Sequence, residues 1–155
     1  MITKQQVENA QNIWGDGVVS IGSLKEDRSE CEDFTNKFLD KLYAFELGAL
    51  SFKPTKCSVK QFRPIKPEAL SYFIAGDDRA CEEDKGFALQ PWINVRFENS
   101  NLILEENRAI AMGNYFFTDI DGIEVKVEYT FGYKLLEGKL KIDLHHSSFP
   151  YNPNN

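Results

Sequence analysis

The sequence predicts an α+β fold: one or two N-terminal helices packed against a strongly curved, mostly antiparallel sheet. Three observations lead there. Residues 1–47 space their apolar side chains at three and four, the period of a helix with one buried face. From Ala49 the period changes to two. The last third, Ile110–Tyr151, reads as three strands joined by two reversals. A twisted sheet with helices on its concave side encloses a cone, and a cone lined by Phe and Tyr can become a pocket.

The helices come first. Thr3 followed by Gln6 is a capping-box pattern, and Val7, Ala10, Ile13, Trp14 and Val18 trace an apolar stripe. Gly15 and Gly17 weaken that helix, the stripe runs on to Val19 and Ile21, and Gly22-Ser23 breaks it. A second helix is expected from about Ser29 to Leu47. Phe34, Phe38, Leu42 and Phe45 recur along it, with Cys31, Leu39 and Tyr43 on the same side. Acidic Glu30, Glu32 and Asp33 suit its N-terminal end, and Gly48 closes it.

Strands follow. Phe52, Thr55, Cys57, Val59 and Phe62 lie among Lys and Arg at strand-like spacing, and Pro54 marks an edge, a bulge or an irregular entry. Pro64–Pro67 reads as a turn or linker, and Glu68–Ile74 as a short helix or strand. Gly76–Gly86 reads as an exposed polar loop whose acidic residues do not follow the EF-hand spacing. Trp92–Phe97 and Leu102–Leu104 are expected to pair around Asn99-Ser100-Asn101, and Arg108 begins the closing antiparallel set.

Asp121-Gly122 and Glu137-Gly138 supply the two reversals of that set. Ile123, Val125, Val127, Tyr129, Phe131 and Tyr133 share one face of its middle strand. On the last strand Leu140, Ile142 and Leu144 take the buried parity, which continued brings His146 and Ser148 inward.

Composition narrows the function classes. A chain of 155 residues is expected to be one domain, 1–155, with a real core. Twelve Phe, six Tyr and two Trp suit a thick core or a lined cavity. A net charge of −6 with no basic stripe argues against nucleic acid. The first residues lack the apolar run of a signal peptide, and no stretch is apolar enough to span a bilayer, so the expected setting is cytoplasmic with no membrane partner. Cys31, Cys57 and Cys81 are widely spaced with no CxxC, against a disulfide scaffold or a thiolate zinc site.

His145 and His146 are the only histidines, and neighbours in a strand point to opposite faces, so the pair does not readily share one metal. No HExxH, GxSxG, P-loop or dinucleotide fingerprint occurs. Thr55, Tyr72, His146 and Ser148 remain as groups able to donate hydrogen bonds or carry a proton, and each also has an ordinary structural explanation.

At LHHSSFPY the chain resembles the iota-class carbonic anhydrase domain, a relative of the calcium/calmodulin-dependent kinase association domain within the NTF2-like (cystatin-like) superfamily. The resemblance covers roughly Val18 to Tyr151 and rests on five ordered pieces: FKPTK at Phe52–Lys56, ALSYFIAG at Ala69–Gly76, MGNYFFT at Met112–Thr118, YTFGY at Tyr129–Tyr133, and HHSS at His145–Ser148. It implies a cone-shaped α+β fold, a homodimer, and reversible hydration of CO₂ to bicarbonate with no cofactor and no metal, although some members have been described as metal-dependent.

The positions matching the family's site are Thr55, Tyr72 and one His/Ser pair of HHSS. Strand parity selects His146 with Ser148; a bulge would select His145 with Ser147. Tyr115, Phe117, Tyr129 and Phe131 would form the pocket wall. Two alternatives share the fold. One is a ligand-binding or oligomerisation module without chemistry; the other is a small-molecule isomerase or cyclase, which would want a carboxylate base in the pocket.

Overall fold

Thr3 starts the first helix as its pattern predicts. Its hydroxyl accepts from the Gln6 N–H, and the Gln6 side chain accepts from the Thr3 N–H. The computed structural model describes residues 1–155, with helices α1 (Lys4–Ser23), α2 (Arg28–Leu42) and α3 (Lys66–Ile74). The strands are β1 (Ser51–Lys53), β2 (Trp92–Leu104), β3 (Arg108–Asp119), β4 (Glu124–Leu136) and β5 (Lys139–Ser148). No helix is long and apolar enough to cross a membrane.

The glycines that weaken α1 as an isolated helix let it pack closely. A methyl at Gly15 would stand 3.1 Å from the Val95 carbonyl oxygen on β2, and one at Gly17 would stand 2.5 Å from the Phe38 ring on α2. Helix propensity is given up for contact with the sheet and with the neighbouring helix.

The sheet corrects the expected shape. Its five strands lie in the order β1-β5-β4-β3-β2, with β1 parallel to β5 and the other pairs antiparallel. It is an open, mixed sheet with edges at β1 and β2, not a strongly curved cone. The helices and a dense set of aromatic rings fill its inner face, so that face carries the core rather than an open funnel.

Three local readings change as well, and one left open is decided. Helix α2 ends at Leu42, five residues before the expected Leu47, because the chain turns extended at Tyr43 and pairs with β5. Ala44 N–H donates to the Ile142 carbonyl at 2.8 Å. Beyond β1, residues 54–62 form turns and loop, not a strand; the Glu83 carboxylate accepts the N–H groups of Ser58, Val59 and Lys60 there. The undecided Glu68–Ile74 stretch is helical, in a helix that takes up Lys66 and Pro67 as its first turn. Trp92–Leu104 is one strand with a register shift at Asn99/Asn101, and the chain reverses later, at residues 105–107.

The polar Gly76–Gly86 loop has one buried charged residue, Asp84. Asp84 accepts two bonds from Arg63, at 2.8 and 2.7 Å, and one from Ser71 at 2.5 Å, all inside the protein. Truncating either charge would leave the other unpaired in a dry site. That cluster ties the loop following β1 to α3, and so fixes where Thr55 and Tyr72 sit.

Candidate active site

The last strand contains a bulge. Gly132 of β4 faces Leu144 and Tyr133 faces Ile142, so Asp143 is the extra residue on β5. Gly132 makes room for it: a methyl there would stand 2.8 Å from Leu144 Cβ and 3.3 Å from an Asp143 oxygen. Arg108 holds Asp143 through contacts of 2.7 and 2.6 Å. The extra residue changes the parity beyond it. Ile142, His145 and Ser147 face the core, whereas His146 is exposed and Ser148 is only partly covered.

The strict-parity expectation for His146 and Ser148 is thereby corrected. Both line a shallow groove on the outer face of the sheet, beside Met112, Glu128 and Thr130. Within HHSS, the inward pair is His145 with Ser147.

Sheet register surrounds His145 with apolar surface. Phe52 of β1 and Phe131 of β4 are its lateral neighbours. Their rings lie 4.8 and 4.1 Å from the imidazole, centroid to centroid, and nearly parallel to it. Trp14 meets the imidazole edge-on at 5.7 Å. Burial therefore pushes the imidazole pKa down to about 3, with neighbouring His146 adding a smaller push the same way. His145 is neutral at ordinary pH.

Its two nitrogens are both engaged. Nδ1 lies 2.9 Å from the Tyr43 hydroxyl, and Nε2 lies 3.2 Å from the Tyr115 hydroxyl. Tyr115 continues to Ser147 Oγ at 2.5 Å, and Ser147 Oγ to Thr55 Oγ1 at 2.6 Å. The parallel pairing of β1 with β5 brings Thr55 here, since Lys53 stands opposite His146 and Thr55 follows two residues later. Tyr72 arrives from α3, and its oxygen accepts the Lys56 backbone N–H at 3.2 Å. Burial raises the pKa of Tyr72 and of Tyr115 well above the usual phenol range, so both keep their hydrogens. The Lys53 ammonium donates to the Ser147 carbonyl at 2.9 Å and brings positive charge to this end of the strand.

Thr55, Tyr72, Tyr115, His145 and Ser147 border a cavity with about 10 Å³ in which a water centre can move, roughly one water's room. Trp14, Phe52, Phe73 and Phe87 complete much of its apolar wall, and no carboxylate borders it. A larger groove of about 300 Å³ shares Tyr72 and Phe87 with it and carries Lys56 and Lys85 together with Glu83 and Asp84.

The other wall residues take separate places. Phe131 acts through the imidazole it flanks. Phe117 packs edge-on against Tyr115, with ring centroids 4.8 Å apart. Tyr129 packs on Tyr115 at 5.0 Å, but its hydroxyl is taken by Asn99, within a cluster that includes Gln11. No group of three or more His, Cys, Asp or Glu side chains is placed so that it could hold a metal ion.

Sequence reasoning missed Trp14 and Tyr43 as members of this cluster. Trp14 Nε1–H donates to the Tyr43 hydroxyl at 3.0 Å. The helical stripes make both of them apolar positions. The available signal was chemical: a buried Tyr or Trp brings a polar tip that must find a partner.

Fold and cluster together define an NTF2-like α+β protein with buried hydroxyls and one neutral imidazole around a very small cavity. Comparisons with known proteins name the family. The family model described as "Metal-independent carbonic anhydrase" matches residues 5–149. The metal-independent carbonic anhydrase of Nostoc sp. is 38% identical over 154 residues, covering 97% of this chain and 75% of that protein.

Among solved structures, the iota-carbonic anhydrase from a cyanobacterium, complexed with bicarbonate, is similar with a TM-score of 0.93 and 37% identity. That match covers 97% of this chain and 94% of the other. A Xanthomonas campestris protein assigned to the calcium/calmodulin-dependent kinase II association domains, 22% identical with a TM-score of 0.60, covers 97% of this chain and 89% of its own, and shares the fold. The chain belongs to the metal-independent carbonic anhydrase family.

Proposed function

We propose that this protein interconverts CO₂ and bicarbonate in the cavity bordered by Thr55, Tyr72, Tyr115, His145 and Ser147. The observation that carries this reading is the convergence of four hydroxyls and a neutral imidazole on a water-sized space with aromatic walls. CO₂ is small and apolar, and aromatic walls admit it at little desolvation cost. When the oxygen of water or hydroxide attacks its carbon, negative charge grows on the CO₂ oxygens. Fixed hydroxyl donors at Thr55 and Tyr72 meet that charge without reorganising.

His145 is not the proton acceptor in this scheme. Its lone-pair nitrogen is already engaged and its pKa is depressed to about 3, so it organises hydroxyls instead. The cluster offers no strong base, so the proton of an attacking water leaves to solvent, or hydroxide arrives from it. Turnover is accordingly modest beside that of enzymes that ionise water on a metal. An isomerase or cyclase reading lacks the carboxylate it would need in the cavity. A homodimer through the outer sheet face belongs to the same proposal, with exposed Ile103 and Met112 as apolar residues it would cover.

The test is stopped-flow CO₂ hydration on protein stripped of metal, with a sulfonamide control for contaminating zinc enzyme. Hydration above the buffer rate is expected to survive stripping. No rate above buffer at high protein concentration would overturn the enzyme reading in favour of an anion-binding module.

A further inference from the structure

The hydroxyl–imidazole cluster has a direction, and it is set at one end. The indole N–H of Trp14 can only donate, and it donates to the Tyr43 oxygen. Tyr43 is fully buried, and its hydroxyl has one other polar neighbour, His145 Nδ1. The Tyr43 hydrogen therefore goes to Nδ1, which must be the bare nitrogen, and a neutral His145 carries its proton on Nε2. Nε2–H donates to the Tyr115 oxygen, Tyr115 O–H donates to Ser147, and Ser147 O–H donates to Thr55.

The hydrogen left over is that of Thr55, and Thr55 borders the cavity. Tyr72, from another side, also has a hydrogen to give, since its oxygen accepts the Lys56 N–H. The opposite polarity would strand the Tyr43 hydrogen in the core without an acceptor. It would also turn a Thr55 lone pair towards an anion.

We propose that Trp14 and Tyr43 are positioning residues for the reaction. They lock His145 in its Nε2–H tautomer and thereby orient the hydroxyls of Tyr115, Ser147 and Thr55 to donate towards an oxyanion in the cavity. Neutrality of His145 follows from the rings that flank it and from its depressed pKa. The inference rests on the carbonic anhydrase reading, but its first test does not need turnover.

That test is nitrogen-15 NMR of histidine-labelled protein at neutral pH, with the signals assigned by their loss in His146→Gln. His145 is expected to show a protonated Nε2 and a bare Nδ1. A protonated Nδ1 would overturn the proposal, whether or not the protein is active. An inactive protein with the expected tautomer would instead fail the carbonic anhydrase reading.

The second arm uses Trp14→Phe and Tyr43→Phe, each checked for its thermal midpoint. Either change releases the tautomer, and both nitrogens should then share the proton. Thr55 stabilises bicarbonate and the transition state but not CO₂, so kcat/KM should drop about tenfold with a telling split. Hydration should lose kcat, whereas dehydration should lose mainly through a raised KM for bicarbonate. His145→Gln places an amide N–H near the Nε2 position and should retain more activity than His145→Leu. A folded Tyr43→Phe protein with unchanged tautomer and unchanged kinetics would overturn the proposal.

Discussion

His145 and Ser147 on one face of β5, and His146 and Ser148 on the other, are the same residue types one position apart. Their physics differs completely. The inner imidazole lies between two aromatic rings, has both nitrogens engaged and is neutral at ordinary pH. Ser147 bonds to two hydroxyls at 2.5 and 2.6 Å. The outer pair borders a groove that is open in the single chain, and neither His146 nor Ser148 has a fixed side-chain partner there. Residue type supplies a capability; burial and fixed partners convert it into a site.

The sharpest way to break this comparison is to truncate the serines separately. Ser147→Ala removes a link of the donor chain and should lower kcat/KM by ~10²-fold with the protein still folded. Tyr72→Phe should do the same by removing the second donor. Ser148→Ala should leave CO₂ hydration unchanged in stopped-flow. Equal losses in Ser147→Ala and Ser148→Ala would erase the distinction between the two faces.

The histidines separate next, through stability against pH. An unfolded histidine titrates near ~6.5, whereas folded His145 titrates at about 3. Between those values the unfolded state binds the extra proton, so stability falls as pH drops below 6.5. From pH 7 to pH 5 this residue alone costs about 2 kcal/mol. Urea denaturation at the two pH values should show that loss in wild type and His146→Gln, and a loss smaller by that amount in His145→Gln. Parallel curves for wild type and His145→Gln would mean that the inner imidazole is not held neutral.

The smallest expected effect tests what makes the two faces differ. Asp143→Asn weakens the half-buried pair with Arg108 and should cost ~1 kcal/mol in denaturation, with CO₂ hydration retained. The bulge then persists because β5 has one residue more than β4 at this point and Gly132 leaves it room. Collapse of activity in this variant would show that the ion pair, and not the strand count, holds His145 inward.

Much of the molecule was legible in the chain. The period of three and four gave α1 with its Thr3–Gln6 cap, because helix capping and amphipathic spacing are local properties. Alternation placed Val127, Tyr129, Phe131 and Tyr133 on the inner face of β4. The five ordered pieces carried the resemblance to the family whose model matches residues 5–149. Thr55, Tyr72 and the HHSS run were named as candidates on that basis.

Tertiary structure alone decided the rest, wherever a choice depended on residues distant in sequence. Asp143 bulges on β5 where Gly132 of the neighbouring strand leaves it room, so no reading of β5 by itself could choose His145 over His146. Helix α2 stops at Leu42 because Tyr43 pairs with a strand about a hundred residues on, a partner that helical periodicity cannot see. The sheet stays open because its edge strands β1 and β2 do not pair with each other, and strand order is not written in strand pattern. Trp14 and Tyr43 sit on apolar stripes, and only packing shows their polar tips meeting His145. Local sequence fixes what each segment can be; long-range pairing selects which of its faces meets the cavity.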